Sequence, residues 1–189
     1  MFLMEEDITY ALDALKKGAI ILYPTDTVWG IGCDATNATA VGKVYALKQR
    51  ADTKAMIVLV PEEQWILNYV AEPTPKVVDY IKGITKPTTV IYDHAKNLAQ
   101  NLIAEDGSIA IRICKSNFAE KLMKAFEKPI VSTSANISGL PTPLCFKDIS
   151  LDIIEGVDYV VKSEQEVTVL KQPSAIVKWE KDQLIVIRP

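Results

Sequence analysis

The stretch AIILYPTDTVWGIGCDA, residues 19–35, contains two apolar segments separated by a short polar loop. AIILYP predicts a buried strand, and WGIGCDA predicts a second short strand. The link between them is too short for a helical crossover, which normally takes a dozen or more residues. This stretch therefore favours a mixed sheet over a purely parallel one.

Apolar periodicity in the rest of the chain predicts helices and strands that are interspersed without strict alternation. The predicted helices cover residues 7–17, 37–50, 62–70, 75–83, 116–127 and 147–154. The further predicted strands cover residues 55–60, 88–93, 108–114, 130–136, 158–162, 174–179 and 183–188. Helix boundaries are expected at Asp7 and Asn37 as caps, and at Gly18 and Pro129 as stops. No repeat, low-complexity tract or linker divides the sequence, so residues 1–189 are predicted to form a single α/β domain.

Composition excludes several classes of protein. Hydrophobic residues make up 49% of the 189 residues, which is enough for a substantial core. A net charge of −3 argues against a general nucleic-acid coat, because binding phosphates needs a concentrated positive surface. The acidic start MFLMEEDITY does not resemble a signal peptide, and no apolar run is long enough to span a bilayer. A cytoplasmic protein with no membrane association is expected.

The pattern of the cysteines and the histidine does not indicate a catalytic role. Cys33, Cys114 and Cys145 are odd in number and widely spaced, which favours buried free thiols over disulfides or a zinc site. His94 lies in the polar stretch YDHAKN and is expected at the surface, so a Ser-His-Asp relay is not supported. GIGCDA matches a relaxed dinucleotide fingerprint, but the PTDT loop interrupts the strand that this fingerprint needs.

Two polar segments could each bind a phosphate. Lys48, Arg50 and Lys54 are either solvated cations near a helix C-terminus or a triphosphate clamp, and Lys48 and Arg50 converge only if the helix ends there. In STSANISG, an extended backbone would place Ser132, Ser134 and Asn136 on one face. Their oxygens could bind phosphate or orient Mg²⁺, or could satisfy a local turn.

Two further features remain open to more than one interpretation. Thr25 and Thr27 in YPTDT could cap a turn or present hydroxyls to a small ligand. Arg112 lies in the apolar strand SIAIRIC, where a buried guanidinium needs an anionic partner. An acidic side chain or an anionic substrate would serve.

In this order, GAIILYPTDTVWGIGCDA, ALKQRADTKAMIVLV, SIAIRI, STSANISGLPTP and QPSAIV…VIRP resemble the YrdC family, the threonylcarbamoyl-AMP synthases. The resemblance runs from about residue 8 to 189. It implies a twisted mixed sheet with flanking helices around a large open cavity. It also implies condensation of L-threonine, bicarbonate and ATP, with Mg²⁺, into threonylcarbamoyl-AMP and pyrophosphate. Partner proteins would then transfer the threonylcarbamoyl group to tRNA.

The resemblance also implies roles for individual residues. Lys48, Arg50, Ser134 and Asn136 match the Lys-x-Arg and Ser-x-Asn signature and are the expected catalytic residues at the ATP site, with no protein-ligated metal. Further nucleotide contacts are expected at Lys54, Ser108, Thr142 and Arg188. The threonine is expected to lie against Thr27, Arg112, Ser132 and Ser174. Two positions depart from the family pattern: Leu59 stands where many relatives have a histidine, and Arg112 is followed by Ile113, Cys114 and Lys115 instead of x-Pro-His.

Two alternatives remain at this point. The same basic concavity could bind tRNA or double-stranded RNA without catalysis, and such binding would weaken steeply with salt. Some relatives lie within larger carbamoyl-transferring enzymes, in which the adenylate goes to another acceptor. The absence of their additional domains counts against this second alternative.

Overall fold

The computed structural model describes residues 2–49, 56–73, 75–167, 172–180 and 183–189. Within these residues, nine strands form one twisted, mixed sheet. They are β1 (Ile21–Tyr23), β2 (Gly30–Gly32), β3 (Ile57–Val60), β4 (Thr88–Tyr92), β5 (Ile109–Ile113), β6 (Ile130–Ser134), β7 (Tyr159–Val160), β8 (Ala175–Glu180) and β9 (Gln183–Arg188). Their spatial order is β7-β1-β2-β6-β3-β5-β4-β8-β9.

The pairing of neighbours confirms the predicted mixed sheet. β1 and β2 are antiparallel, as their short link requires, and β6 pairs antiparallel with both β2 and β3. Three pairs are parallel: β1 with β7, β3 with β5, and β4 with β8. Parallel pairs therefore occur only between strands that are far apart in the sequence or separated by a helix.

The glycines of β2 are required by close packing. A Cβ on Gly32 would lie 2.5 Å from the Tyr23 ring and 2.6 Å from the Val131 carbonyl, which real side chains do not tolerate. β2 lies between two antiparallel neighbours and does not lead directly into a helix. The fingerprint-like spacing in GIGCDA therefore reflects strand packing, and the dinucleotide interpretation is rejected.

Helices flank this sheet. They are α1 (Phe2–Lys16), α2 (Ala38–Leu47), α3 (Ile66–Tyr69), α4 (Pro75–Gly83), α5 (Asn117–Phe126) and α6 (Leu151–Gly156). Short 3₁₀ turns occupy Glu63–Trp65, Gln100–Leu102 and Phe146–Asp148. The predicted segment 62–70 is thus a 3₁₀ turn followed by α3. The segment predicted as a helix at 147–154 is instead a 3₁₀ turn and a separate helix that begins at Leu151.

Local capping signals located several helix ends correctly. Gly18 adopts a left-handed φ of 69° two residues after the end of α1. The Asn37 side chain caps α2 by accepting from the Thr39 and Ala40 N–H groups at 3.0 and 3.1 Å. α2 ends at Leu47, and Gln49 has a left-handed φ of 48°, so the chain leaves the helix at Lys48.

Asp7 is not the cap that was predicted for the first helix. α1 begins at Phe2, and the Asp7 carboxylate is 1% exposed and points toward the C-terminal half of the chain. It accepts hydrogen bonds from the Tyr159 hydroxyl at 2.6 Å and from the Ser163 N–H at 2.6 Å, and a longer one from the Lys162 N–H. The prediction missed the helical periodicity before Asp7. The partners of the Asp7 carboxylate are too distant in the sequence to predict.

Replacing Asp7 with alanine is expected to lower the free energy of unfolding by about 2 kcal/mol, because it leaves buried donors without an acceptor. Burial alone would raise the pKa of Asp7, but hydrogen bonds from Tyr159, Lys162 and Ser163 together lower it below its ordinary value. The stabilisation is therefore present above about pH 4 and is lost as the pH falls through the lower folded pKa. Urea unfolding at pH 7 and at pH 3 measures both effects.

Asp13→Ala on the same helix is the matched control. Asp13 pairs with Lys17 at 2.6 Å, but both side chains are well exposed, so a change below about 0.5 kcal/mol is expected. Equal losses in the two variants would contradict the role assigned to Asp7.

The core lies between the sheet and the helices. All three side chains of β1 are fully buried, as the apolar run predicted. Cys33 and Cys114 are buried free thiols, whereas Cys145 is half-buried. His94 is exposed, as expected. Among the described residues, no helix combines the length and apolar character that a membrane crossing would need.

Candidate active site

A polar cavity of about 210 Å³ opens on one face of the sheet. Residues from the β1–β2 loop and from strands β2, β3, β5, β6, β8 and β9 contribute to its wall. They are Thr27, Val28, Trp29, Gly30, Met56, Ile57, Arg112, Ser132, Thr133, Ser134, Thr142, Pro173, Ser174, Ile176 and Arg188. Segments distant in sequence therefore meet around one space.

The cavity brings together most of the residues predicted to bind substrates. All four predicted threonine contacts and three of the predicted nucleotide contacts line it: Thr27, Arg112, Ser132, Ser174, Ser134, Thr142 and Arg188. Ser108 is not in the lining, and its N–H donates to Asp106 at 2.9 Å before β5 begins. Arg50 and Lys54 lie outside the described residues.

Strand β6 supplies the hydroxyls on the cavity floor. Ser132 and Ser134 are two residues apart on β6, so they share a face as predicted. A Cβ on Gly30 would approach the Ser132 hydroxyl at 3.0 Å, so a glycine there leaves room for it. Asn136 does not continue this row, because β6 ends at Ser134. Its side-chain amide instead donates to the Ile137 and Leu140 carbonyls at 2.9 and 2.8 Å.

Lys48 lies beneath this segment and outside the cavity lining. The side chain is 1% exposed, and its ammonium donates to the Ser134 carbonyl and, at 2.6 Å, to the Asn136 carbonyl. The Ser138 N–H in turn donates to the Lys48 carbonyl at 2.9 Å. Lys48 therefore joins the end of α2 to the turn that follows β6, and so connects both halves of the predicted signature.

The β1–β2 loop is ordered by its own hydroxyls. Thr25 donates to the Val28 carbonyl at 2.8 Å and accepts from the Thr27 N–H at 3.0 Å. The turn interpretation is confirmed for Thr25, whereas ligand binding by Thr27 stays a prediction; the two hydroxyls lie 3.0 Å apart. Thr25 satisfies the turn, and Thr27 lies against the cavity.

Arg112 is 3% exposed, and its anionic partner within the fold is Asp26. Arg112 Nη1 donates to Asp26 Oδ1. Arg112 Nε is buried and has no hydrogen-bond partner among the described residues. The position of Arg112 in an apolar strand predicted an anionic partner, but not that this partner is Asp26. The available signal was an acid in a buried loop and an arginine in an apolar strand.

Ser174 and Arg188 form another part of the cavity wall. The Ser174 hydroxyl is 2.8 Å from the Thr89 hydroxyl, and its carbonyl accepts from Arg188 Nη2 and Nε at 2.7 and 3.0 Å. Burial and then the charge of Arg112 lower the pKa of Arg188 below its ordinary value. Two neighbouring guanidinium groups favour an anion in the cavity.

The thiol beside Arg112 is not activated for nucleophilic attack. Burial, and next the Asp26 charge, raise the pKa of Cys114 to about 12, so the thiol next to Arg112 stays protonated at neutral pH. No group of three histidine, cysteine or acidic side chains is placed to ligate a metal in the part of the chain described. The arrangement is suited to positioning substrates and neutralising their charge.

A second cavity, of about 140 Å³, lies behind β5 and is mainly apolar. Ile111 and Ile113 line it, whereas Arg112 between them points to the polar cavity. Apart from Asp26, which borders it, this second cavity contains no group that participates in the polar site.

Comparison with known proteins gives a consistent result. The sequence profile of the Sua5/YciO/YrdC family, which carries the description "Telomere recombination", matches residues 13–189. A protein of Pseudoalteromonas translucida (strain TAC 125) named threonylcarbamoyl-AMP synthase is 34% identical over 160 residues. The match covers 83% of this chain and 86% of that protein.

Solved structures share the fold. P. abyssi Sua5 complexed with L-threonine superposes with a TM-score of 0.86 at 21% identity, covering 96% of this chain. The chain spans about half of that protein's length, 53%. E. coli YciO superposes with a TM-score of 0.81 at 21% identity, covering 96% of this chain and 87% of that one.

Proposed function

The chain belongs to the Sua5/YciO/YrdC family, and from this membership we infer that it is a threonylcarbamoyl-AMP synthase, a nucleotidyltransferase. It condenses L-threonine, bicarbonate and ATP to threonylcarbamoyl-AMP and releases pyrophosphate. The observation that most strongly supports this function is the convergence of seven predicted substrate contacts on one cavity. An RNA-binding module without catalysis is not favoured, because the curated relatives are named as the enzyme.

Arg112 is the proposed partner of the threonine carboxylate. Its unpartnered Nε supports this role, because a buried guanidinium N–H is costly to leave without an acceptor. Thr27, Ser132 and Ser174 would surround the rest of the amino acid with hydroxyls, which can either donate or accept. Leu59 is fully buried opposite Arg112 in the β3–β5 register and offers no polar group at the position where the family resemblance implies a histidine in many relatives.

The nucleotide would lie along Ser134, Thr142 and Arg188, and next to the signature residues Lys48, Arg50 and Asn136. Lys54 and Ser108 remain proposed contacts. The threonine amine attacks the bicarbonate carbon and water leaves, which gives a carbamate. A carbamate oxygen then attacks the α-phosphate in line, and pyrophosphate leaves. This route needs orientation and charge neutralisation and requires no covalent nucleophile.

Mg²⁺ is proposed to arrive with ATP. It prefers oxygen ligands and in phosphoryl chemistry is held largely by the phosphates and water. The Asn136 Oδ1 atom fits such an ion, since it is buried and has no hydrogen-bond partner among the described residues. Ser134 and Asn136 would orient the ion, which when bound neutralises developing negative charge on the phosphates.

The product is a reactive mixed anhydride that another protein must consume. We propose that a separate transferase carries the threonylcarbamoyl group to an adenosine in tRNA, and that these steps take place in the cytoplasm. Direct contact with tRNA is not required for the adenylate-forming step.

Pyrophosphate release from ATP by the purified protein tests the proposal. Threonine and bicarbonate are each supplied or omitted, and serine and glycine replace threonine in parallel reactions. Release is expected only with ATP, threonine and bicarbonate together. Mass spectrometry of the product identifies the adenylate.

The other outcomes are equally informative. Pyrophosphate release that does not depend on threonine would indicate a different carbamoyl acceptor. An inactive preparation that binds RNA with a steep salt dependence would favour the binding module.

A further inference from the structure

The Arg112 guanidinium pairs with Asp26 inside the fold, and Arg112 also lines the polar cavity. Asp26 takes Nη1, while Nε is buried without a partner in the described part of the chain. Asp26 therefore satisfies only part of the donor capacity of a side chain that also lines the cavity.

We propose that Asp26 is a positioning residue of the amino-acid site, which orients Arg112 so that its free N–H groups face the substrate carboxylate. This inference rests on the proposed function. Asp26 acts through Arg112 and is not expected to touch threonine. Two carboxylates therefore have different roles. The Asp26 carboxylate orients the Arg112 guanidinium, and the guanidinium binds the substrate carboxylate.

Hydrogen bonds from neighbouring groups hold the Asp26 carboxylate in the position from which it orients Arg112. Its Oδ1 atom accepts a hydrogen bond from the Cys114 thiol at 3.2 Å, and its Oδ2 atom accepts one from the Lys115 N–H at 3.2 Å. The loop that carries it is closed by the Thr25 hydroxyl. Because these contacts connect the β1–β2 loop to the end of β5, the Asp26 carboxylate and the backbone of Arg112 keep a fixed relative position.

The charges of the cavity are consistent with this arrangement. Asp26 compensates the buried guanidinium before substrate enters, which avoids an isolated buried charge. Arg188 supplies a second positive group at the same cavity. The cavity therefore still attracts a carboxylate after Arg112 and Asp26 have paired.

Titration calorimetry with L-threonine and with ATP on the full chain tests the proposal. Asp26→Asn is expected to weaken threonine binding about tenfold and to change ATP binding less than twofold. Asp34→Asn is the matched control, since the Asp34 carboxylate likewise pairs with a cation, Lys128, at 2.8 Å and accepts a backbone N–H. It lies outside the cavity lining and should leave both affinities unchanged.

A double-mutant cycle separates positioning from a general structural effect. In an Arg112→Gln background, Asp26→Asn should change threonine affinity less than twofold, because the group it orients is gone. Additive losses, a loss of ATP affinity equal to that of threonine, or unchanged threonine affinity in Asp26→Asn would each overturn the proposal. If the unaltered protein bound no threonine, the proposed function would fail as well, so the two failures are distinguishable.

Discussion

Replacing Lys48 with methionine is expected to lower threonine-dependent pyrophosphate release at least about a hundredfold. Methionine has a similar length but cannot donate, so the Ser134 and Asn136 carbonyls would lose the ammonium that they share. Each unsatisfied buried acceptor costs about 1–3 kcal/mol. The turn that carries Ser134 and Asn136 would shift, and the site would also lose a positive charge beside the proposed phosphates.

The structure gives this prediction a more specific form than the sequence did. A lysine that contacts only phosphate would affect ATP binding and leave the protein equally stable. Because Lys48 is buried and bonded to the turn after β6, Lys48→Met should weaken ATP binding and also lower the melting temperature. Threonine affinity measured without ATP should change far less.

Lys43→Met provides the control on the same helix. Lys43 is exposed, and its ammonium donates to the Gly18 carbonyl at 3.0 Å, away from the cavity. Activity within about twofold of the unaltered protein is expected. A Lys48→Met protein that retained most of its activity would remove Lys48 from the proposed site.

The second large effect is expected for Arg112→Gln, in which the apparent KM for threonine should rise about a hundredfold. A paired guanidinium and carboxylate contribute roughly 2–3 kcal/mol, and every 1.4 kcal/mol corresponds to a tenfold change. The KM for ATP should move much less, since Arg112 is assigned to the amino-acid half of the cavity. Steady-state kinetics with each substrate varied in turn measure the separation.

Two further variants define what Arg112 contributes. Arg112→Lys keeps the charge but lacks the planar fork, so an intermediate KM for threonine is expected. Lys128→Gln breaks the ion pair with buried Asp34, away from the cavity, and should affect stability without altering the KM for threonine. Equal losses for threonine and ATP in Arg112→Gln would show that the arginine serves the fold.

Several predictions that depended only on neighbouring residues were accurate. Asn37 caps α2, Gly18 follows the end of α1 with a left-handed φ, and α5 lies within the predicted segment 116–127. Each signal involves groups within a few residues of one another, so the local sequence contains all of the atoms that decide the outcome. The mixed sheet was predictable for the same reason, since a short loop limits which strands can pair.

Predictions that depended on distant partners were incomplete. Asp7 was assigned to a helix start, but its carboxylate binds a segment about 155 residues later in the chain. Asn136 was placed on the β6 face, but the strand ends at Ser134 and its side-chain amide turns to the loop. Sequence spacing assumes that an element continues, and tertiary contacts decide where it stops.

The sequence by itself determined the order of helices and strands, the mixed sheet and, through the joint pattern of its motifs, the family. Only the tertiary structure decided that Asp26 meets Arg112 and that the Lys48 ammonium binds the turn after β6. It also decided which predicted contacts share one cavity. These outcomes depend on pairings between residues more than eighty positions apart, because a buried charge takes the partner that the completed fold brings within reach.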